Sequence, residues 1–246
     1  MALNKVRLDL LVEQLYPAHS RRLIQSWIMQ GSVYVDGVPV TKPGTQVRPD
    51  VTVTCTAQEP PYVSRAGNKL AKALDEFGID VAGLVALDAG LSTGGFTDCL
   101  LQRGVAKVFG IDVGYGQVHE KIRVHPQVVV MERTNLRDVT PALLGELVDL
   151  VTLDLSFISA TKVLDAVFAC MKPHATIVIL IKPQFESERH EVGKGGIVRD
   201  AAVHERVVAL MKLHLEAREC TVLGVTESPI LGATGNKEFL IAAQRN

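Results

Sequence analysis

The sequence predicts an α/β protein in which a mostly parallel sheet, covered by helices on both faces, follows a small α+β domain. Beyond about residue 60, short apolar runs alternate with amphipathic helical patterns. This alternation is typical of parallel strands joined by crossover helices. The last two apolar runs, at 221–229 and 239–243, have no helical pattern between them. They therefore predict an antiparallel hairpin at one edge of the sheet.

Composition limits the classes of function that need to be considered. The chain has 246 residues, 47% of them hydrophobic, and a net charge of -1, so a polyanionic partner would have to be bound by local basic patches. Its four cysteines form no CxxC pair, and its histidines have no metal-ligand spacing, so no metal site and no disulfide framework is predicted. The N-terminal segment has charges at Lys5, Arg7 and Asp9, where a signal peptide would need its apolar core, and the longest apolar run, 175–181, is too short to span a bilayer. We therefore expect a soluble cytoplasmic protein.

The sequence of the first domain predicts two helices followed by a small sheet. Apolar residues at helical spacing predict helices over 7–15 and 20–29, with Ser20 as the N-cap of the second and Gly31 as its stop. The Asp36-Gly37 pair predicts a hairpin over 32–40, and a further strand is expected over 51–55. The stiff stretch at 58–62, which contains two prolines, is the expected boundary between a domain at 1–60 and a domain at 61–246.

The second domain is predicted to begin with a helix over 66–77, after which strands and helices alternate. The predicted strands are 84–88, 107–112, 128–131, 150–153, 176–182, 221–229 and 239–243. The predicted helices are 96–103, 117–124, 141–145, 159–171 and 201–219.

The loop after the strand that ends at Asp88 is the strongest functional signal. It turns through three glycines and leads into a helix, and a second acid, Asp112, ends the next strand, as in a Rossmann-like nucleoside-binding unit. The loop lacks the GxGxxG pattern and has neutral hydroxyls but no basic residue, which favours S-adenosylmethionine over a dinucleotide. Asp88 would meet the ammonium group of this cofactor and Asp112 its ribose. The predicted loop residues are Gly90, Ser92, Thr93, Gly94, Gly95 and Phe96.

The sequence allows two interpretations both for the loop and for Asn135. The loop could be an ordinary strand-to-helix turn without a ligand. Asn135, just past the strand that ends at Met131, could read the adenine edge or could simply cap a loop.

Two charged residues leave apolar strands at the edge where α/β proteins bind ligands. Lys182 follows the run 177–181, and Asp154 follows the run 150–153, so both are predicted to face the crevice opened by Gly90. A solvated strand end is the alternative for each. The stretch Gly193-Lys-Gly-Gly196 lacks the Walker spacing, and it predicts either a mobile loop over the cleft or a surface turn.

Several stretches of the second domain together resemble the FtsJ-like RNA 2'-O-methyltransferases, and the whole chain resembles the hemolysin A, or TlyA-type, ribosomal RNA methyltransferase family. The matching stretches are Pro61-Tyr-Val-Ser-Arg-Ala-Gly-Asn-Lys-Leu70, Leu87-Asp-Ala-Gly-Leu-Ser-Thr-Gly-Gly-Phe-Thr97, Asp154-Leu-Ser-Phe-Ile-Ser159, Ile181-Lys-Pro-Gln-Phe-Glu186, Gly193-Lys-Gly-Gly-Ile-Val-Arg199 and Asn236-Lys-Glu-Phe239. The resemblance implies a catalytic Lys–Asp–Lys–Glu quartet at Lys69, Asp154, Lys182 and Glu238.

The first domain resembles the S4-type RNA-binding fold, through Arg7-Leu-Asp9, Ser20-Arg21, 28–35 and Lys42-Pro43. Basic side chains outnumber acidic ones there, and arginines at a helix start suit phosphate contacts. The candidate RNA-binding residues are Arg7, Ser20, Arg21, Arg22, Lys42 and, after the boundary, Arg65.

The resemblance implies an enzyme that methylates a ribose 2'-hydroxyl of ribosomal RNA, with cytidine as the expected nucleotide and neither DNA nor a membrane as partner. The hydroxyl must lose its proton during attack. A lysine is charged at neutral pH, so a lysine base needs burial or a second cation nearby. The two acids are expected to orient the two lysines. The alternatives are a cytolytic or membrane-active protein, as the hemolysin name suggests, and a ribosome-binding protein without catalysis.

Overall fold

This computed structural model describes residues 4–57 and 60–246. The chain forms two compact units, 1–59 and 60–246. Residues 58 and 59 of the predicted junction, and residues 1–3 at the N-terminus, lie outside the described residues.

The first unit packs two helices against short antiparallel strands. Its elements are β1 (Val6–Arg7), α1 (Leu8–Leu15), α2 (Arg21–Met29), β2 (Val33–Val35), β3 (Val38–Pro39), β4 (Gln46–Val47) and β5 (Val53–Cys55). The strand order is β3-β2-β5 in one sheet, and β1 pairs with β4. The Ser20 hydroxyl accepts from the Leu23 N–H at 3.3 Å and caps α2, as predicted. Positive φ at Asp36 and Gly37 makes the tight hairpin turn that their sequence predicts.

The second unit is a seven-stranded sheet with helices on both faces. Its strands are β6 (Val85–Ala89), β7 (Lys107–Ile111), β8 (Val128–Met131), β9 (Val148–Leu153), β10 (Met171–Ile181), β11 (Cys220–Glu227) and β12 (Phe239–Arg245). Its helices are α3 (Ala66–Glu76), α4 (Gly95–Gln102), α5 (Glu120–Arg123), α6 (Pro141–Leu144), α7 (Leu164–Ala169), α8 (Pro183–Glu186) and α9 (Ala201–Glu216). The order is β11-β12-β10-β9-β6-β7-β8, and β12 pairs antiparallel with both neighbours. The predicted fold class is confirmed.

Three elements differ from their prediction. The helix predicted over 117–124 is a single turn, α5. The helix predicted over 159–171 is a 3-10 turn, Ala160–Lys162, followed by the short α7. The strand predicted over 176–182 is β10, which begins at Met171 and has an irregular register between Met171 and Thr176. The residues in this irregular part are mostly polar, so an apolar pattern does not predict them as strand.

The sheet register brings distant residues to one edge. Leu153 pairs with Ile179 on the parallel strands β9 and β10, and Ile181 pairs with Phe239 on β10 and β12. Asp154, Lys182 and Glu238 lie one residue beyond the ends of three adjacent strands. They are therefore at the same edge of the sheet as the carboxyl ends of β6 and β7. None of the helices in the described parts of the chain has the length and apolar character needed to cross a membrane.

Candidate active site

A cavity of about 450 Å³ opens at the carboxyl ends of β6, β7 and β9. Its lining includes Gly90, Ser92, Asp112, Asn135 and Asp154. Five residues that the sequence predicted for a cofactor site therefore share one cavity. Its volume lies in the range of roughly 300–1,000 Å³ that small-molecule sites occupy.

Residue 90 has to be a glycine because the backbone of its loop lies very close to the backbone at Asp154. Its φ of 93° lies in the left-handed region, and a Cβ at this position would overlap the carbonyl oxygen of Asp154. The Asp154 N–H in turn donates to the Ala89 carbonyl at 3.0 Å. The floor of the cavity and the start of the segment after β9 are thus one packed unit.

Asp112 connects the two loops that border the cavity. One carboxylate oxygen accepts from the Ser92 N–H and the other from the Gly114 N–H, both at 2.7 Å. The carboxylate faces the cavity and keeps lone pairs that could accept from ribose hydroxyls.

Asn135 caps a loop, which is one of the two roles that its sequence position allowed. Its side-chain oxygen accepts from the Arg137 N–H at 3.1 Å and caps the 3-10 turn Leu136–Asp138. It also lines the cavity. The loop-capping contact therefore leaves its amide nitrogen available to a ligand.

Asp88 departs from the expectation that it would meet a ligand. Its carboxylate is fully buried, accepts from Thr97 Oγ1 at 2.6 Å and from Thr152 Oγ1 at 3.0 Å, and is not part of the cavity lining. Burial raises its pKa to about 6, because desolvation of the charged form outweighs the two threonine hydrogen bonds. Asp88 therefore supports the loop from below rather than facing the cavity.

The remaining loop residues predicted to bind the cofactor also lie outside the cavity lining. Gly94, with a φ of 94°, is the N-cap of α4, and Phe96 is buried in the core. The Thr93 carbonyl accepts from the His119 N–H at 3.1 Å. Gly95 packs so closely against Ser64 that a Cβ would overlap the Ser64 hydroxyl. These residues shape the loop and the start of α4. The sequence could not separate this structural role from ligand contact, because both favour glycines at these positions.

The four charged residues of the implied quartet form two ion pairs. Asp154 Oδ1 lies 2.6 Å from Lys182 Nζ, which also donates to Ser156 Oγ at 3.0 Å. Glu238 Oε2 lies 2.5 Å from Lys69 Nζ, and these two side chains are 3% and 10% exposed. Buried lysines and carboxylates are rare unless they are paired, so both pairs are built features of this edge.

Phe157 is a cavity residue that the sequence interpretation missed. It has a φ of 67°, is 92% exposed, and packs at 5.5 Å between ring centroids against Phe185. An apolar residue within the resembling stretch gives no local signal of exposure, because hydrophobic patterning predicts burial.

In the first unit, one buried acid holds two of the candidate RNA-binding residues. The carboxylate of Asp9 is 0% exposed and pairs with Arg7 at 2.9 Å and Arg21 at 3.0 Å. Gln25 donates to it at 2.8 Å. The hydrogen bond from Arg7 is the largest cause that lowers the pKa of Asp9 well below its usual range. The arginines are therefore oriented side by side, and half of each side chain stays accessible.

The other candidate RNA-binding residues form no contact with Asp9 that orients them. Arg22, Lys42 and Arg65 are exposed, and no ion pair of these side chains occurs within residues 4–57 and 60–246. The Ser20 hydroxyl is used by its capping hydrogen bond. Across the same residues, no cluster of histidine, cysteine and carboxylate side chains could hold a metal ion.

Two family patterns match this chain. The FtsJ-like methyltransferase family matches residues 62–245, and the S4 domain family matches residues 6–53.

Curated relatives and a solved structure are similar over most of their length. The chain is 45% identical to the 16S/23S rRNA (cytidine-2'-O)-methyltransferase TlyA of Mycobacterium tuberculosis, covering 91% of this chain and 84% of that one. It is 42% identical to Hemolysin A of Brachyspira hyodysenteriae, covering 96% and 98%. A solved structure from Streptococcus thermophilus, described as a hemolysin, is 34% identical with a TM-score of 0.76, covering 100% and 90%.

Proposed function

Because this chain belongs to the FtsJ-like methyltransferase family, we propose that it transfers a methyl group from S-adenosylmethionine to the 2'-hydroxyl of a cytidine in ribosomal RNA. The family match confirms the predicted enzyme class and cofactor. The observation that carries the proposal is the position of two ion pairs, Lys69–Glu238 buried and Asp154–Lys182 partly buried, at the sheet edge where the cavity opens.

The residues of the cavity fit S-adenosylmethionine. We assign the ribose hydroxyls to Asp112, the adenine edge to Asn135, and the close approach of the ligand to the backbone at Gly90 and Ser92. The cofactor supplies a methyl group already activated on a sulfonium, so the chain has to provide position and proton transfer.

Lys182 is the residue that we assign to the reacting hydroxyl. As the ribose oxygen bonds to the methyl carbon and the methyl–sulfur bond breaks, the hydroxyl proton must leave. In this assignment the proton moves to Lys182 Nζ, which Asp154 and Ser156 hold in place, and Asp154, 2.6 Å away, stabilises the ammonium that results. A fixed side chain saves the orientation cost of bringing the reacting groups together.

Lys69 and Glu238 have a positioning role in this scheme. Their pair is nearly dry, so the Lys69 ammonium has one preferred place and can donate to an oxygen of the ribose. Glu238 keeps that ammonium oriented. The 2'-hydroxyl that both pairs address is present in RNA and absent from DNA.

The first domain recruits the RNA in this proposal. We divide the chain by function at the predicted boundary, with RNA binding in 1–60 and catalysis in 61–246. Arg7 and Arg21, oriented by Asp9, and the exposed Arg22 and Lys42 would contact phosphates, while Arg65 would contact RNA from the second domain. Since the proposed substrate is ribosomal RNA, we also propose that the enzyme acts in the cytoplasm.

Site-specific mapping of 2'-O-methyl groups tests the proposal. Unmodified ribosomal RNA, free and within each ribosomal subunit, is incubated with the protein and labelled S-adenosylmethionine, and the label is located by resistance to alkaline cleavage. We expect one or a few cytidines to gain the modification. A transcript with 2'-deoxycytidine at the mapped position is the matched control and should accept no methyl group. Label on a base, or no label on any form of the RNA, would contradict the proposal, and dye release from lipid vesicles by the protein alone would instead favour a lytic activity.

A further inference from the structure

The segment Gly193–Ile197, which we call the glycine loop, is a tight turn with an open surface. Gly193 N–H donates to the Ile197 carbonyl, and Gly196 N–H donates to the Gly193 carbonyl, each at 3.0 Å. Gly195 and Gly196 have φ values of 80° and 74°, and a Cβ on either would meet no atom within 4 Å. The loop is therefore closed by its own hydrogen bonds and open toward solvent.

The glycine loop presents two cations. Lys194 is exposed within the loop, and a guanidinium nitrogen of Arg199 lies 3.5 Å from the position of a Cβ on Gly193. In the part of the chain that the structure describes, neither side chain forms an ion pair. The neighbouring acid Asp200 accepts from the Ala202 N–H at 2.9 Å as the N-cap of α9. Two unpaired cations on an open loop suit contacts to phosphates.

Asn236 anchors this loop from inside the protein. Its side chain is 0% exposed. Its amide nitrogen donates to the Gly196 carbonyl at 2.8 Å and to Thr234 Oγ1 at 2.9 Å. Its amide oxygen accepts from the Val198 N–H at 2.9 Å. One buried amide thus satisfies backbone groups on both sides of Ile197, where the loop ends.

The same residue belongs to the segment that carries Glu238. The Asn236 carbonyl accepts from the Gly232 N–H at 2.9 Å, and Gly232 packs so closely on Glu238 that a Cβ would overlap its carboxylate oxygen. Glu238 holds Lys69. A displacement of Asn236 would therefore move both the base of the glycine loop and the wall against which the Glu238 carboxylate rests.

From these contacts we propose that the glycine loop binds the RNA backbone through Lys194 and Arg199, and that Asn236 is a positioning residue that couples this contact to the Lys69–Glu238 pair. The inference rests on the proposed function, because it assigns a further contact to the same RNA substrate. RNA bound at the glycine loop would then stay at a fixed distance from the Lys69–Glu238 pair.

The first experiment tests the RNA contact with the full-length protein. The double variant Lys194→Ala/Arg199→Ala is compared with the wild type in RNA-binding assays over a salt series and in steady-state kinetics. We expect the KM for ribosomal RNA to rise by about fivefold or more, and the slope of log affinity against log salt to decrease by about 1–2, because each lost phosphate contact removes about one unit. The kcat should stay within about twofold of the wild type, since a phosphate contact is made in both ground and transition states. Lys212→Ala, on the exposed part of α9, is the matched control and should change neither.

The second experiment tests the coupling. Asn236→Asp has the same shape and still accepts from the Val198 N–H, but it cannot donate to Gly196 or Thr234. We expect it to raise the KM for RNA and to lower kcat by about tenfold, because displaced reacting groups lose rate, while the Kd for S-adenosylmethionine stays at the wild-type value. Thr234→Val removes one acceptor alone and should give a smaller change of the same kind, which keeps the test valid if Asn236→Asp folds poorly.

The outcomes separate this inference from the proposed function. A wild-type protein that does not methylate RNA would refute the proposed function. An active wild type whose KM and salt slope are unchanged in the double variant would refute the RNA contact alone. A fall in kcat without a rise in KM in both the Asn236→Asp and Thr234→Val variants would refute the coupling.

Discussion

Lys182 Nζ lies 2.6 Å from Asp154 Oδ1, although the two residues follow different strands of the sheet. Each leaves the carboxyl end of a strand, β9 or β10, and these strands are hydrogen-bonded neighbours. The parallel register sets the separation between the acid and the lysine. The pair is thus a property of the fold rather than of a local motif.

Substitution of Lys182 by methionine should abolish methyl transfer. The variant keeps the bulk of the side chain but removes the proposed proton acceptor, and general-base contributions are about 10²–10⁴-fold in kcat. Lys172→Met is a matched control, because Lys172 lies at the other end of β10 and pairs with Asp149 at 2.8 Å. Single-turnover methylation of ribosomal RNA measures both. Full activity of the Lys182 variant would show that another group takes the proton.

Glu238→Gln should lower both stability and activity. It leaves the buried Lys69 ammonium without its counter-ion, which typically costs about 3–5 kcal/mol of unfolding free energy. The double variant Lys69→Met/Glu238→Met should recover most of that stability, since replacement of a buried ion pair by two apolar side chains of similar volume is often neutral, but it should not recover kcat. Urea unfolding and methyl transfer are measured together. Recovery of both would mean that the pair is only structural, and Lys72→Met on the same helix is the control for α3.

Asp112→Ala should weaken the binding of S-adenosylmethionine. The change removes the carboxylate from the cavity and frees the Ser92 and Gly114 N–H groups that it holds at 2.7 Å. Losing hydrogen bonds to a charged group costs about 1.5–3 kcal/mol, which corresponds to about a tenfold to hundredfold rise in Kd. Calorimetric titration of each protein with S-adenosylmethionine measures the Kd. The exposed Asp138→Ala, outside the cavity lining, should bind as the wild type does, and equal affinities for all three proteins would exclude the assignment.

The stability of the chain should decrease between about pH 4 and pH 6 because of Asp88. Burial raises its pKa from 3.8 to about 6, so in this window the folded chain keeps a proton that the unfolded chain has released. The contribution is fully present below the unfolded pKa and is lost as pH rises through the folded one. Asp88→Asn removes this titration, and the difference in unfolding free energy between wild type and variant should change by about 2 kcal/mol between pH 4 and pH 7.

Asp75→Asn is the control of opposite sign for this measurement. Its hydrogen bond with Arg103 lowers the pKa of Asp75, so its stabilising contribution is lost as pH falls rather than as it rises. A flat difference between wild type and Asp88→Asn across the window would contradict the buried, proton-binding state of Asp88.

Patterning predicted most of the second unit, because strands buried on both faces give continuous apolar runs. Val128–Met131 has the predicted bounds, and the edge hairpin of β11 and β12 is present. Patterning failed where structure is short or interrupted. The two-residue strands β1 and β4 contain no period, and the polar residues of the bulge in β10 concealed its beginning.

Within the candidate site, strand-end position placed Asp154 in the cavity lining, whereas Lys182, which pairs with Asp154, and Asp88 lie outside that lining. All three follow or end a core strand in the sequence. What separates them is the presence of Thr97 and Thr152, distant in sequence, which surround the Asp88 carboxylate with hydroxyl donors. Partners of this kind are visible only once the strands and helices are assembled. The pairing of Lys69 with Glu238, from opposite ends of the second unit, has the same origin.

The contact of Gly90 with the Asp154 carbonyl has a consequence for substitutions at residue 90. The donor side and the acceptor side of the reaction meet through backbone atoms, without a side chain that mutation could lengthen or shorten. Any side chain at residue 90 would have to push the Asp154 carbonyl away from the loop, and Asp154 is the residue that pairs with Lys182. Substitution of Gly90 should therefore disturb the cavity and the lysine together, although residue 90 itself carries no reacting group.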